Sequence, residues 1–278
     1  MKNEVFPHFQ GLTNRLRFEI LHHGYTYGDK AWNFQSNHSP YNRLYFFLKG
    51  EAKVEHRGKW TTLLPGHAYL LPLHQVYYLK AEKAFEKFYL HFRLEPWPGK
   101  DLFENPTEQL PLERKDARVA ELIARAKRGG IDDLLVFKGQ VYLLLEDFVK
   151  KSRFRFQSES AKSLLAAEKY RPFFAEVESR PFNEIVFSKI ADRMQISLPV
   201  LSRNFRKDTG KTLKEFLHLH FARRAQDELL LTSKKVREIS HDLGFSDEYY
   251  FSRFFKKEVD LSPQQYRLQN RLEDAAKQ

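Results

Sequence analysis

Residues 187–217 and 236–267 carry one pattern twice, and this repetition limits the fold of the C-terminal third more than any other feature. Ile190, Met194, Ile196 and Ser197 recur at an offset of 49 as Ile239, Leu243, Phe245 and Ser246. After one extra residue the offset becomes 50, and Ser202-Arg203, Phe205, Arg206-Lys207 and Phe216 recur as Ser252-Arg253, Phe255, Lys256-Lys257 and Tyr266. Duplication of one supersecondary unit accounts for the match. Each copy reads as a short helix, a tight connection (Met194-Gln195-Ile196 or Leu243-Gly244-Phe245) and a second helix opened by Ser197 or by Ser246-Asp247. That order is the grammar of a helix-turn-helix.

In the second helix of each copy, Leu201 and Phe205, or Phe251 and Phe255, stand four apart on the face to be buried. Pro199, Ser202, Arg203 and Arg206, or Glu248, Tyr249, Ser252, Arg253 and Lys256, then project elsewhere as candidate DNA contacts. Arg grips guanine bidentately, and Ser bonds phosphates or base edges. Pro199 suits an early helical turn but donates no hydrogen bond, so readout in the first copy rests on Ser202, Arg203 and Arg206. An ion pair inside the domain is the alternative role for Arg203 or Arg253. Between the copies, Leu213, Leu217, Phe221, Ala225 and Leu229 form an i+4 ladder free of Pro and Gly. It predicts a connecting helix roughly 30 Å long, enough to place two reading helices in successive major grooves.

These residues resemble the AraC/XylS-type transcription regulators. The carriers are Ala191, Ser197, Leu201-Ser202-Arg203, Phe205 and Gly210 in the first unit. In the second they are Gly244-Phe245, Phe251-Ser252-Arg253, Phe255-Lys256-Lys257, Ser262-Pro263 and Tyr266-Arg267. The resemblance covers about residues 164–268 and implies two helix-turn-helix units joined by a long helix. Two positions depart from it: Asp260 stands where the family usually has Gly after the second reading helix, and Glu228 where it usually has Leu. Asp tolerates a left-handed C-cap better than most residues but less well than Gly.

The N-terminal half has a different period. Arg43 to Leu48, Ala52 to His56 and Phe85 to Arg93 alternate with period two, broken by Lys49-Gly50-Glu51, Arg57-Gly58-Lys59 and Pro65-Gly66-His67. These are half-buried antiparallel strands in the making, and their repetition predicts a small barrel or sandwich. From Glu113 the period becomes helical. Val119, Leu122, Ile123 and Ala126 form one stripe, closed by Gly129-Gly130, and Leu134, Leu135, Phe137, Val141, Leu144, Leu145 and Phe148 form a second. The stripes are broad enough to predict a dimer contact through these two helices, near residues 114–128 and 131–150; the alternative is that both stripes pack on the barrel of their own chain. The basic, Ser-rich stretch Lys150 to Ser163 reads as a linker, with the boundary between domains 1–158 and 159–278.

Residues 38–93 also resemble the cupin-like effector domain of arabinose-type regulators, through Gly50, Leu64-Pro65-Gly66, Leu71-Pro72-Leu73-His74 and Tyr89-Leu90-His91-Phe92. The predicted fold class is therefore α+β in two domains: a cupin-like antiparallel β-barrel with two trailing helices, then an all-α domain. His38, His67, His74 and His91 invite a metal, but the His-x-His and Glu arrangement of a cupin metal site is missing. No metal and no cofactor are expected. Along the last strand Phe85, Lys87, Tyr89, His91 and Arg93 share one face, a mixture of rings and donors that suits a polyhydroxylated ligand. His74, Lys87, Tyr89 and His91 are the candidate ligand contacts. The competing readings are a solvent-exposed face and structural or surface histidines.

Of 278 residues, none is Cys, which excludes disulfides, thiolate zinc sites and cysteine nucleophiles and fits a reducing compartment. No apolar run reaches the length of a membrane span, and Met1 to Pro7 lacks a signal core, so a soluble cytoplasmic protein is expected. The net charge of +11 favours a polyanionic partner, although residues 181–278 are less basic in net charge than residues 1–180. No catalytic constellation is present. The expected function is a ligand-responsive, sequence-specific regulator that binds promoter or operator duplex as a homodimer, senses a sugar or similar small polar molecule, and has RNA polymerase as a further partner. The alternatives are an architectural DNA-binding protein without effector and a cupin-type enzyme.

Overall fold

The computed structural model describes residues 16–36, 39–95, 101–104, 111–115, 119–151 and 168–268. They form two compact units, one built on the strands and the helices that follow, the other on the helices from residue 168 onward. The expected boundary near residue 158, the linker beyond Lys151, the segment before Leu16 and His38 lie outside the described residues.

Among the described residues the first unit has nine strands: β1 (Arg17–Gly28), β2 (Asn33–Ser36), β3 (Asn42–Lys49), β4 (Ala52–His56), β5 (Lys59–Leu63), β6 (His67–Leu71), β7 (Tyr77–Lys80), β8 (Phe85–Glu95) and β9 (Leu112–Lys115). They build two sheets in the orders β1-β8-β3-β6-β9 and β2-β7-β4-β5, a sandwich-like form of the expected barrel. The paired strands β3–β8, β3–β6, β4–β5, β4–β7 and β2–β7 are all antiparallel. The β4–β5 hairpin turns on Arg57 and Gly58, both with positive φ, as a two-residue turn requires. At Gly50 (φ 65°) an added Cβ would lie 2.1 Å from the Ala84 carbonyl oxygen, so both the conformation and the space demand glycine.

The expectation of half-buried strands is corrected at β3 and β8, where both faces are buried over nearly their whole length. Phe88, Leu90 and Phe92 face away from the sandwich interior and are covered, with the Phe88 ring edge-on to Phe137 at 6.2 Å. Lys87, Tyr89 and His91 point to the other side and are equally buried. A polar residue on a strand marks a water-facing side only when nothing packs over it.

Two helices follow, α1 (Val119–Arg128) and α2 (Ile131–Lys151). Val119, Leu122 and Ile123 bury the expected stripe of α1, and Gly129 ends it at φ 71°. In α2, Phe137, Val141, Leu144, Leu145 and Phe148 are buried, whereas Leu134 and Leu135 are exposed, which corrects their place in the stripe. The run Ile131 to Phe137 is apolar on every side except for Asp132 and Asp133, so its period could not choose a face.

The second unit contains α3 (Arg171–Ser179), a short 3₁₀ turn (Phe182–Glu184), α4 (Phe187–Arg193), α5 (Leu198–Thr209), α6 (Leu213–Leu231), α7 (Val236–Asp242), α8 (Glu248–Val259) and a last helical turn at 263–268. Its core gathers Ile190, Leu201 and Phe205 from the first copy, Ile239, Leu243, Phe251 and Phe255 from the second, and the predicted Leu213, Leu217, Phe221, Ala225 and Leu229 ladder between them. The 19-residue α6 is about 28 Å long. Its start is fixed by a capping box: the Glu215 N–H donates to Thr212 Oγ1 at 3.1 Å and the Thr212 N–H to the Glu215 carboxylate at 2.7 Å. These bonds hold the Glu215 carboxyl below its ordinary pKa. The second copy repeats the device, with Gln265 N–H donating to Ser262 Oγ and Ser262 N–H to the Gln265 side chain.

Candidate functional site

The duplicated turns have the same backbone. Gln195 and Gly244 both take positive φ (56° and 80°), and the Ile196 and Phe245 N–H groups donate back to the Ala191 and Ser240 carbonyls at 3.1 and 3.0 Å. This reversal sets α5 and α8 against α4 and α7. Asp247 caps α8, its carboxylate accepting from the Tyr250 N–H at 2.7 Å. That bond, with a contribution from the Arg253 charge, holds the Asp247 carboxyl below the usual carboxylate range. Ser197 occupies the cap position of α5 in extended backbone, but its side chain accepts no capping bond, so the expected cap is positional only.

With Leu201, Phe205, Phe251 and Phe255 fully buried, the opposite faces of α5 and α8 are left to solvent. Pro199, Arg203 and Arg206 are exposed on α5 with Ser202 half-buried beside them. On α8, Arg253 and Lys256 are exposed, Glu248 and Ser252 half-buried, and the Tyr249 side chain is 82% exposed. Among the described residues neither Arg203 nor Arg253 takes part in an ion pair, so the alternative role weighed for them has no support there. An aromatic ring at the start of an otherwise charged helix face, next to an arginine one turn on, is a surface equipped for base edges and thymine methyls.

The first unit holds a second constellation. Lys87 is completely buried, its Nζ 3.5 Å from the centre of the Tyr45 ring, 4.4 Å from that of Trp32 and 5.8 Å from that of Tyr89. An ammonium over ring faces is held by their quadrupoles. His91 stacks on Tyr41 at 4.5 Å, and Tyr89 Oη shares a 3.1 Å hydrogen bond with His22 Nδ1. Lys87, Tyr89 and His91 therefore line one buried wall, and the reading of this face as solvent-exposed is corrected. His74 does not belong to the wall. It sits half-buried in the β6–β7 turn with left-handed backbone (φ 57°), its N–H donating to the Ser39 carbonyl at 2.9 Å.

Sequence reasoning missed the partner strand. Register pairs Arg43 with His91, Tyr45 with Tyr89 and Phe47 with Lys87, so Arg43 and Tyr45 share the wall. Arg43 is buried, donates to Ser36 Oγ at 2.5 Å and also contacts Ser39 Oγ. The alternation of β3 held that signal, but pairing it with β8 requires the register. Among the described residues no three His, Asp or Glu side chains gather so as to hold a metal, and no helix is long and apolar enough to cross a membrane.

Two reading helices on a duplicated scaffold, joined by one long helix, define a DNA-binding protein of the double helix-turn-helix class. The model of a helix-turn-helix domain family matches residues 190–269. The Msm operon regulatory protein of Streptococcus mutans is 23% identical over 273 residues, covering 91% of this chain and 94% of that protein. The xylose operon regulatory protein of Haemophilus influenzae is 27% identical over 92 residues, 33% of this chain and 24% of that protein. Among solved structures, ToxT of Vibrio cholerae O395 bound to (E)-4-(8-methylnaphthalen-1-yl)but-3-enoic acid superposes with a TM-score of 0.50 at 12% identity, covering 91% of this chain and 98% of that one. Residues 190–269 carry the helix-turn-helix domain of AraC/XylS-type regulators, and the chain is a DNA-binding transcription regulator.

Proposed function

We propose that this regulator is ligand-responsive: residues 1–158 hold a small-molecule effector and pair two copies of the chain, and residues 159–278 read promoter or operator DNA. The observation that carries the sensor reading is the buried wall of Lys87, Tyr89 and His91, joined by Trp32, Tyr45 and Arg43. A core that only had to be stable would be built more cheaply from apolar side chains, because desolvating a Lys and an Arg is costly. Rings for C–H faces and donors for oxygens suit a sugar or a derivative of one, and a relative is named for the xylose operon.

The three buried cations Arg43, Lys87 and Arg93 favour a second reading in which the effector bears a carboxylate. ToxT, with the same fold, has been solved with an organic acid bound. Calorimetry and thermal shift on the full chain with xylose, glucose and glucuronate, with and without chelator, test both readings. Saturable binding that Lys87→Met removes and chelator leaves unchanged supports the chamber. Preference for glucuronate over glucose selects the acid, and no saturable binding by any of these or by short-chain carboxylates counts against the sensor.

The stripes of α1 and α2 expected to pair two copies are instead buried in the core of their own unit, so the homodimer is proposed through the opposite face of α2. Its outward face exposes Ile131, Leu135 and Leu143 (69%, 65% and 56%), with Val136 and Tyr142 beside them. Gly139 lies at the crown of this face, and a Cβ there would meet nothing within 4 Å. A mid-helix glycine costs about 1 kcal/mol relative to alanine and does nothing for its own chain here. It fits close approach by a second copy, antiparallel, with the acidic Asp132 end opposite the basic Lys150 end. A cytoplasmic location, and RNA polymerase as a further partner, follow from the regulator reading.

A further inference from the structure

The two reading units are duplicates in fold but not in charge. From Ser197 to Lys214 the first carries five cations (Arg203, Arg206, Lys207, Lys211, Lys214) and one acid. From Asp247 to Gln264 the second carries three cations (Arg253, Lys256, Lys257) and four acids. The single acid of the first unit, Asp208, is taken up by Lys169 Nζ and the Tyr170 hydroxyl, both at 2.7 Å. Two of the acids in the second, Asp247 and Glu248, stand at the cap and first position of its reading helix, where the first reading unit has Ser197 and Leu198.

The first reading unit also has an open depression of about 790 Å³ between α5 and the first turn of α6. Arg203, Arg206, Lys207 and Lys214 stand around it, and Phe187 and Leu213 contribute to its lining. All four cations are exposed, and among the described residues none of them is in an ion pair. The offset of 50 converts Lys211 and Lys214 to Leu261 and Gln264 in the second copy, while the capping box beside them is retained.

We propose that this depression seats the DNA sugar-phosphate backbone, with Lys207 and Lys214 as phosphate contacts, and that the first reading unit supplies most of the sequence-independent affinity of the protein. The second unit, whose electrostatics are neutral to repulsive, contributes base readout and little anchoring. The inference rests on the proposed placement of α5 and α8 in DNA grooves. Its chemistry is counterion release: each phosphate neutralised by a lysine displaces condensed cations, so affinity falls more steeply with salt.

The test uses the full chain and a 30-base-pair duplex of arbitrary sequence, with fluorescence anisotropy over a series of KCl concentrations. Lys207→Gln and Lys214→Gln are each expected to lower the slope of log affinity against log salt by about one. Lys257→Gln should change it much less, and Gln264→Lys should raise it by about one. Unchanged thermal unfolding establishes that the variants are folded. The proposal is overturned if Lys214→Gln leaves the slope unaltered, or if Lys257→Gln costs as much as Lys207→Gln. Arg203→Ala, assayed on sequences selected by the parent, separates this outcome from failure of groove reading. Altered base preference with an unaltered Lys214→Gln slope rejects the phosphate seat alone, and unaltered preference rejects groove reading.

Discussion

Gly210 and Asp260, fifty residues apart, end the two reading helices with the same left-handed turn. Their φ angles are 75° and 63°, and their N–H groups donate to the Arg206 and Lys256 carbonyls, both at 2.9 Å. An L side chain with a Cβ is strained in this region by roughly 1–2 kcal/mol, less for Asp than for most. Asp260→Gly should therefore stabilise the second helix-turn-helix copy by up to about 1 kcal/mol, and Gly210→Asp should destabilise the first copy by a similar amount. Thermal unfolding of the two variants checks the pair, and equal effects of the same sign would show that the turns are not equivalent.

The connecting turns offer a sharper contrast. At Gln195 the left-handed residue is exposed, whereas at Gly244 a Cβ would lie 2.5 Å from Pro181 Cβ and 2.9 Å from the Phe182 nitrogen. Gly244→Ala adds this clash to the backbone strain and should cost roughly 2 kcal/mol or more. Gln195→Ala should be within about 0.5 kcal/mol of neutral, since the strain is already present. Urea unfolding midpoints of the two variants measure the difference.

Tyr170 gives a pH signature. Burial, first, and then its hydrogen bond to Asp208 push the phenol pKa up from 10 to about 12. The folded state thus holds a proton that the unfolded state has lost. The sign is that of a raised group: the contribution is complete below pH 10 and disappears as pH rises towards 12. In Tyr170→Phe, stability should fall by about 1 kcal/mol at neutral pH for the lost hydrogen bond. The additional loss between pH 10 and 12 should then be smaller than in the parent, as read by urea unfolding at pH 8 and pH 11.

For the proposed α2 pairing, Leu143→Lys and Gly139→Leu should both convert dimer to monomer in sedimentation velocity at tens of micromolar, the first by charge and the second by bulk. Leu135→Ala should weaken the pairing by about tenfold. A parent chain that sediments as monomer, or a Gly139→Leu variant that remains dimeric, would remove the pairing through α2.

What could be read from the residues alone follows a physical line. The second unit was legible because its information is local: i+4 ladders, caps and a fifty-residue repeat all lie in short windows. Asp260 is the best instance, a departure whose left-handed conformation was expected from its position and is present. The wall around Lys87 was half legible. Alternation along β8 grouped Lys87, Tyr89 and His91, but whether water or protein faced them depends on what packs across the sandwich. Arg43 and Tyr45 joined only through the β3–β8 register, a contact more than forty residues distant in sequence. Leu135 failed for the opposite reason, because an apolar run with no polar side gives no direction.

Whether α5 and α8 address two successive major grooves is measured by selecting duplexes from a random library with the full chain, followed by hydroxyl-radical footprinting. Two short sequence boxes about 10 base pairs apart on one face of the helix are expected. Arg203→Ala should relax preference in one box and Arg253→Ala in the other, each at a cost of about 1–3 kcal/mol on the parental site. A selection that enriches no sequence, or a single box relaxed equally by both variants, would contradict it.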